Sequence, residues 1–151
     1  MKKIYTVIAL MFVSVFAFAQ QIELKDGKYY KGGELFTGKY LEYYENGNVR
    51  LEKEIKEGLE DGDTYEYFED GKTKEHQSYR KGLNHGTWES WNHDGVKTAE
   101  AGYRDGKKQG PWLIWDENGT LRYEMYYDNG EKKGRWRMWD EKGQMTMERE
   151  Y

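Results

Sequence analysis

The three histidines are the first side chains to test for metal binding. His85 and His93 flank one predicted strand, and eight residues of extended chain would separate them by about 25 Å, too far to share an ion. His76 falls in a column that recurs along the chain, and its other members are Glu52, Glu100, Glu124 and Glu148. We therefore interpret His76 as a surface residue and predict no metal site.

The glutamates of that column are the candidates for acid–base chemistry. A catalytic carboxylate pair needs two acids about 5–10 Å apart in a cleft that gives them different environments. Arg50, Lys74 and Arg122 each precede a column position by two residues, which is typical of a solvated charge ladder. No nucleophile motif surrounds Ser78 or Ser90. We predict no catalytic residue and no cofactor, and we expect that the protein is not an enzyme.

Three pairs of tryptophans are the side chains best suited to binding. The pairs are Trp88/Trp91, Trp112/Trp115 and Trp136/Trp139. A spacing of three places the members of a pair on opposite faces of a regular strand, so one column can pack while the other stays partly exposed. Tryptophan is over-represented at binding hot spots. These six tryptophans, with Met145 and Met147, are the candidate partner-binding residues, and burial of both columns is the alternative.

The tryptophans belong to a repeat with a period of 24 residues. One glycine column is Gly38, Gly62, Gly86, Gly110 and Gly134, and another is Gly58, Gly82, Gly106 and Gly130. The aromatic columns are Tyr43, Tyr67, Trp91, Trp115, Trp139; Tyr40, Thr64, Trp88, Trp112, Trp136; and Ile55, Tyr79, Tyr103, Tyr127, Tyr151. A period of about 20–50 residues indicates a tandem array.

Each repeat is predicted to be a β-hairpin. The turn glycines are Gly47, Gly71, Gly95, Gly119 and Gly143. Most of them follow Asn or Asp, and this dipeptide favours a type I′ turn, in which both central residues have positive φ. In the return strands apolar and polar residues alternate with period two, which predicts that the apolar residues of a strand share one face. These sets are Leu121, Tyr123, Met125 and Tyr127; Val49, Leu51 and Ile55; and Met145, Met147 and Tyr151.

The predicted fold is therefore all-β: an elongated single antiparallel sheet of tandem 24-residue hairpins. The five repeats are 38–61, 62–85, 86–109, 110–133 and 134–151. Residues 20–37 contain the hairpin signal Asp26-Gly27 and form an atypical N-terminal cap, as repeat arrays require.

The first nineteen residues have the features of a signal peptide. Lys2 and Lys3 precede an uncharged apolar stretch at 4–18, and Ala17 and Ala19 supply the small residues of a cleavage site. We expect export, with cleavage before Gln20, to the periplasm or the cell exterior. Removal of the two lysines changes the net charge from −4 to −6, which disfavours nucleic acids and anionic membrane surfaces. The chain has no cysteine, so disulfides are excluded.

The repeat resembles a known family. The pattern Tyr103-x-x-Gly106-x-x-x-Gly110-x-Trp112-x-x-Trp115-x-x-x-Gly119 is similar to the bacterial variant of the MORN (membrane occupation and recognition nexus) repeat, and the resemblance covers about residues 30–151. It implies an elongated, twisted sheet of successive hairpins. Proteins of this sort are often labelled YwqK-like antitoxin components, and that label implies binding and neutralising a toxin.

Three functions remain open. The leading hypothesis is a protein-binding scaffold outside the cytoplasm, acting through its aromatic sheet surface. An exported antitoxin or immunity protein is the second, and a glycan- or cell-wall-binding module with sugars stacked on aromatic rings is the third. The final predicted strand, 144–151, has an edge on which a partner or a second copy could add by strand pairing, giving a homo-oligomer.

Overall fold

The structure, a computed structural model, describes residues 21–151, and all regular elements in that part are β-strands. The predicted signal peptide lies outside the described residues. The strands are β1 (Ile22–Lys25), β2 (Lys28–Lys31), β3 (Glu34–Leu35), β4 (Gly38–Tyr43), β5 (Val49–Lys56), β6 (Leu59–Tyr67), β7 (Thr73–Arg80), β8 (Leu83–Asn84), β9 (Gly86–Trp91), β10 (Lys97–Arg104), β11 (Lys107–Trp115), β12 (Leu121–Asp128), β13 (Glu131–Lys132), β14 (Arg135–Trp139) and β15 (Met145–Glu150). In this part of the chain no helix has the length and hydropathy to cross a bilayer.

The repeats form one antiparallel sheet of twelve strands, which confirms the predicted all-β class. Its strands follow the order of the chain from β4 to β15, and the short strands β8 and β13 pair with β7 and β12. The cap differs from the prediction of a single sheet, because β1, β2 and β3 form a separate three-stranded sheet. The cap is joined to the array where the Tyr29 N–H donates to the Gly58 carbonyl at 2.9 Å.

The turns within the repeats are not type I′, so that prediction was wrong. Gly47 has φ of 87°, but Asn46 does not share the positive φ. The Gly47 N–H donates to the Tyr44 carbonyl at 3.0 Å, and the Tyr44 N–H donates to the Asn48 carbonyl at 2.9 Å. This pattern is a type I turn followed by a left-handed glycine, the usual three-residue hairpin loop. The other four repeats have the same hydrogen bonds.

Turns with two positive φ angles lie instead between strands of successive repeats. Lys81 and Gly82 have φ of 50° and 78°, as a type I′ turn requires. The equivalent pairs are Glu57-Gly58, Asp105-Gly106 and Asn129-Gly130, and the cap turn Asp26-Gly27 has the same geometry. Each glycine N–H also donates to a carbonyl of the previous such segment: Gly58 to Phe36, Gly82 to Glu60, Gly106 to Asn84 and Gly130 to Lys108, at 2.7–2.8 Å. We call these four bonds the turn stitches.

A β-bulge near the start of every return strand changes the predicted faces. In β12, Leu121 pairs with Trp115 but Tyr123 pairs with Ile114, so one strand carries an extra residue, Arg122. The bulge reverses the alternation and puts Leu121 on the opposite face from Tyr123. Val49 and Met145 are displaced in the same way, because they pair with Tyr43 and Trp139. The predicted grouping of Leu121, Val49 and Met145 with the rest of their strands was therefore wrong.

The array buries few side chains completely. Ile55 and Tyr127 are 3% and 8% exposed, and both lie in the third aromatic column. Each residue of that column pairs across the strands with a glycine, as Tyr103 does with Gly86. Gly86 has φ of 81°, which side chains rarely adopt, so the glycine column is required by the backbone beneath the rings.

Candidate functional site

One face of the sheet carries a continuous stack of rings. It consists of Tyr79, Trp88, Tyr103, Trp112, Tyr127, Trp136 and Tyr151, and successive ring centroids are 4.6–5.7 Å apart. We call this stack the aromatic ladder and its side of the sheet the ladder face. Tilted and edge-to-face pairs at these distances are favourable beyond the area that they bury. The ladder therefore takes the place of a hydrophobic core in this single-layer sheet.

The three tryptophans of the ladder are held by hydrogen bonds. The Trp88 indole N–H donates to the Ser78 carbonyl at 3.2 Å, Trp112 donates to Gly102 at 3.1 Å, and Trp136 donates to Tyr126 at 3.1 Å. Each acceptor lies ten residues earlier in the chain. A tryptophan whose N–H is paired with the backbone and whose ring stacks on both sides is suited to a structural role.

Lysines cover part of the ladder at its C-terminal end. The Lys108 Nζ lies 4.0 Å from the centroid of Trp112 and 4.7 Å from that of Tyr127. Lys132 repeats the arrangement over Trp136 and Tyr151, at 4.3 Å and 4.7 Å. Cations over ring faces are attracted to the π electrons. These ring faces are therefore partly occupied by the protein's own side chains.

The other three tryptophans lie on the opposite side of the sheet, as their spacing predicted. Trp91 pairs with Lys97, Trp115 with Leu121 and Trp139 with Met145. We call Trp91, Trp115 and Trp139 the outer tryptophan column and their side of the sheet the charged face. Within residues 21–151 their indole N–H groups form no hydrogen bond, and they are not among the atoms buried without a partner. These N–H groups are therefore without a hydrogen-bond partner in that range and not fully buried, on side chains that are half-buried.

The two candidate methionines are separated by the bulge in the last strand. Met145 lies beside Trp139 on the charged face and is 52% exposed. Met147 pairs with Met138 and belongs to the ladder face. The eight candidate partner-binding residues therefore divide between two faces: Trp91, Trp115, Trp139 and Met145 on one, and Trp88, Trp112, Trp136 and Met147 on the other.

A row of charged side chains runs beside the outer tryptophan column. In its C-terminal part the Arg137 guanidinium contacts both Glu124 and Glu148 at 2.9 Å. Members of the glutamate column therefore form ion pairs with neighbouring cations, as a charge ladder does. Lys97 likewise bridges Glu89 and Glu100, at 2.5 Å and 3.0 Å, and its hydrogen bond is the main reason why the pKa of Glu89 is lowered.

Each histidine lies beside an aspartate, a pairing that the spacing of these residues along the chain did not predict. The His76 Nε2 is 2.9 Å from Asp63, and the His76 ring stacks on Tyr65 with centroids 4.6 Å apart. That hydrogen bond is the main cause of the lowered pKa of Asp63. His85 and His93 lie 3.5 Å from Asp105 and 3.2 Å from Asp70. Among the described residues no group of three His, Cys, Asp or Glu is placed to hold a metal ion.

The rings are missing from the ladder face at one place. Where other repeats have tyrosine or tryptophan, this region has Ile55 and Thr64. A cavity of about 190 Å³ lies there, lined by Arg50, Leu51, Lys53, Thr64, Glu66, Glu75 and Gln77. The sequence showed Thr64 as a departure from its column, but the cavity depends on which side chains the register brings around it.

Comparison with known proteins agrees with the repeat. A family model described as MORN repeat variant matches residues 36–57, 60–81 and 108–129. The matched segments begin 24 and 48 residues apart, in phase with the period of the sequence. Each runs from near the start of a first strand to the type I′ turn after the return strand. No curated protein matches the chain.

Proposed function

We propose that this protein, whose chain contains MORN-variant repeats, is an exported, non-enzymatic scaffold that binds a partner protein along the outer tryptophan column. The observation that carries the proposal is the difference between the two tryptophan columns. Trp112 donates its N–H to the backbone, whereas the N–H of Trp115 has no hydrogen-bond partner within the described residues and is not fully buried. A half-buried indole with a free donor is the kind of side chain that anchors a protein partner.

The surroundings of this column support a protein partner. Leu121 and Met145 lie between or beside the tryptophans and add apolar area, and Met145 is more than half exposed. The ion pairs of Arg137 with Glu124 and Glu148 run alongside. An apolar centre with a polar rim is the usual composition of a protein interface. Export is supported by the sequence of residues 1–19.

The test is a pull-down from the cell envelope with quantitative mass spectrometry. The probe variant combines Trp115→Ala with Trp139→Ala, and the matched control combines Ile114→Ala with Tyr123→Ala, which removes exposed apolar side chains from the ladder face. We expect the partner to be lost with the probe variant and retained with the control. Retention by a probe variant that still melts cooperatively would exclude the outer tryptophan column.

A glycan is the second candidate, favoured by the spacing of the rings. The outer tryptophans recur on every second strand of the sheet, which places them about 10 Å apart. Sugar rings could stack on such a series. Co-sedimentation with purified cell-wall glycan separates the two candidates, because binding without any protein present would favour the glycan. An antitoxin or immunity role would be a special case of protein binding, in which the captured partner is toxic when produced alone.

A further inference from the structure

The gap in the aromatic rings creates a polar cavity on the ladder face, away from the outer tryptophan column. Thr64 lies between Lys53 and Gln77, its cross-strand neighbours, where Trp88, Trp112 and Trp136 stand in later repeats. The rings on either side belong to Tyr40, which stacks on Tyr29, and to Tyr79, which stacks on Trp88. The cavity therefore interrupts the row of rings at one repeat only.

The hydroxyl of Thr64 has no hydrogen-bond partner within residues 21–151. The residue is only 6% exposed, and its hydroxyl oxygen is buried. A buried hydroxyl without a partner is costly, and native proteins keep few of them. Thr64 also lines the cavity, so a ligand that displaced the covering side chains could supply the bond.

The charges around the cavity leave one carboxylate over. Arg50 pairs with Glu42, Lys53 with Glu60, and Lys74 with Glu66 at 2.8 Å. Glu75 forms no ion pair among the described residues. It lies directly across the strands from a second carboxylate, that of Glu66. Like charges in this position repel each other. A cation between Glu66 and Glu75 would relieve that repulsion and pair the free carboxylate.

From these observations we infer that the cavity binds a primary ammonium group. An ammonium carries three N–H donors and no acceptor, which matches the acceptors on offer: the carboxylates of Glu66 and Glu75 and the oxygen of Thr64. Leu51 supplies an apolar wall for the alkyl chain that carries the ammonium. The ligand is either a free amine or the lysine side chain of a bound protein.

The experiment measures binding of 1,5-diaminopentane to the purified protein by isothermal titration calorimetry. Glu75→Gln keeps the shape of the side chain and removes its charge, and we expect it to weaken binding about tenfold or more, because a charge-assisted hydrogen bond is lost. Glu117→Gln, in an exposed turn, is the matched control and should bind as the parent does. 1,5-Pentanediol, with hydroxyls in place of the amines, should not bind.

A second variant tests the cavity itself. Thr64→Trp places an indole where the other repeats have one, and it should abolish diamine binding while the sheet remains folded by circular dichroism. A blocked tripeptide with a central lysine distinguishes the sources: tighter binding of the peptide than of the diamine points to a protein ligand, and the reverse points to a free amine. Unchanged binding in Glu75→Gln, equal binding of the diol, or no binding of either amine would overturn the inference.

Discussion

The indole N–H of Trp112 donates to the backbone carbonyl of Gly102 across 3.1 Å, from one strand to its neighbour. Trp115, three residues further along β11, makes no such bond among the described residues and lies on the other face. The same contrast separates Trp88 from Trp91 and Trp136 from Trp139. One sequence motif, a pair of tryptophans three residues apart, thus supplies both the internal support of the sheet and the surface for which we propose partner binding.

This contrast predicts unequal effects on stability. Trp112→Phe removes a hydrogen bond and part of a stacked ring, and we expect it to lower the free energy of unfolding by about 1–2 kcal/mol. Trp115→Phe loses no hydrogen bond and should cost about 1 kcal/mol less than Trp112→Phe. Urea unfolding followed by circular dichroism measures both. Equal losses would mean that the indole bond does not support the sheet.

The type I′ turns predict a reciprocal pair of substitutions. Lys81 and Asn129 occupy equivalent positions with φ of 50° and 52°. Asparagine tolerates this left-handed region better than lysine does. Lys81→Asn should therefore raise the free energy of unfolding, and Asn129→Lys should lower it, each by roughly 0.5 kcal/mol. The melting temperature should shift in the same direction in each variant. Shifts of the same sign in the two variants would contradict the turn assignment.

The ion pairs of the charged face predict acid sensitivity. The hydrogen bond from Lys97 lowers the pKa of Glu89 from its usual 4.5, and further lowering comes from His76. A lowered pKa contributes stability that is present above the unfolded value and is lost as the pH falls through the folded value. The free energy of unfolding should therefore decline below about pH 4.5.

Glu89→Gln should remove part of that decline, by less than about 1 kcal/mol because the pair is partly solvated. Urea titrations near neutral pH and below about pH 4 give the comparison. The control is Glu117→Gln, at an exposed turn outside the ion pairs of the described residues. An acid decline as steep in Glu89→Gln as in the parent would show that other groups cause it.

The proposed export predicts a defined mature protein. Processing between Ala19 and Gln20 would remove both N-terminal lysines, since Lys2 and Lys3 precede the site. Intact-mass measurement of the protein recovered from the cell envelope or the medium should give the chain that begins at Gln20. A species that retains Lys2 and Lys3 would contradict cleavage.

The period of the sequence was sufficient to predict the antiparallel array, because glycines and rings in phase admit few other arrangements. It was not sufficient for the turns. Asn-Gly fits a type I′ turn, but in the last three repeats the residue that starts the turn, Asn92, Asp116 or Asp140, favours a type I turn. The Asp116 side chain, for example, accepts hydrogen bonds from the N–H groups of Asn118 and Thr120. The actual type I′ turns were not predicted, because Glu57 and Lys81 stand before their glycines where Asn or Asp is typical.

The residues of the candidate site were predictable from the sequence, but their arrangement in space was not. The spacing of Trp112 and Trp115 placed them on opposite faces, but it could not tell which one finds a carbonyl, because Gly102 reaches Trp112 through the register of two strands. The bulge at Arg122 moved Leu121 to the side of Trp115, which a strict alternation cannot show. The cavity at Thr64 could not be predicted either, because it depends on the registers in which β6 pairs with β5 and with β7.

The turn stitches also make the length of this protein adjustable. Each stitch joins a turn only to the segment 22 residues before it, as Gly106 is joined to Asn84, and strand pairing follows the order of the chain. Insertion or deletion of one whole 24-residue period would therefore leave every remaining bond with an equivalent partner. A surface of this kind can become longer or shorter by a change in the number of repeats, while the sequence of each repeat stays the same.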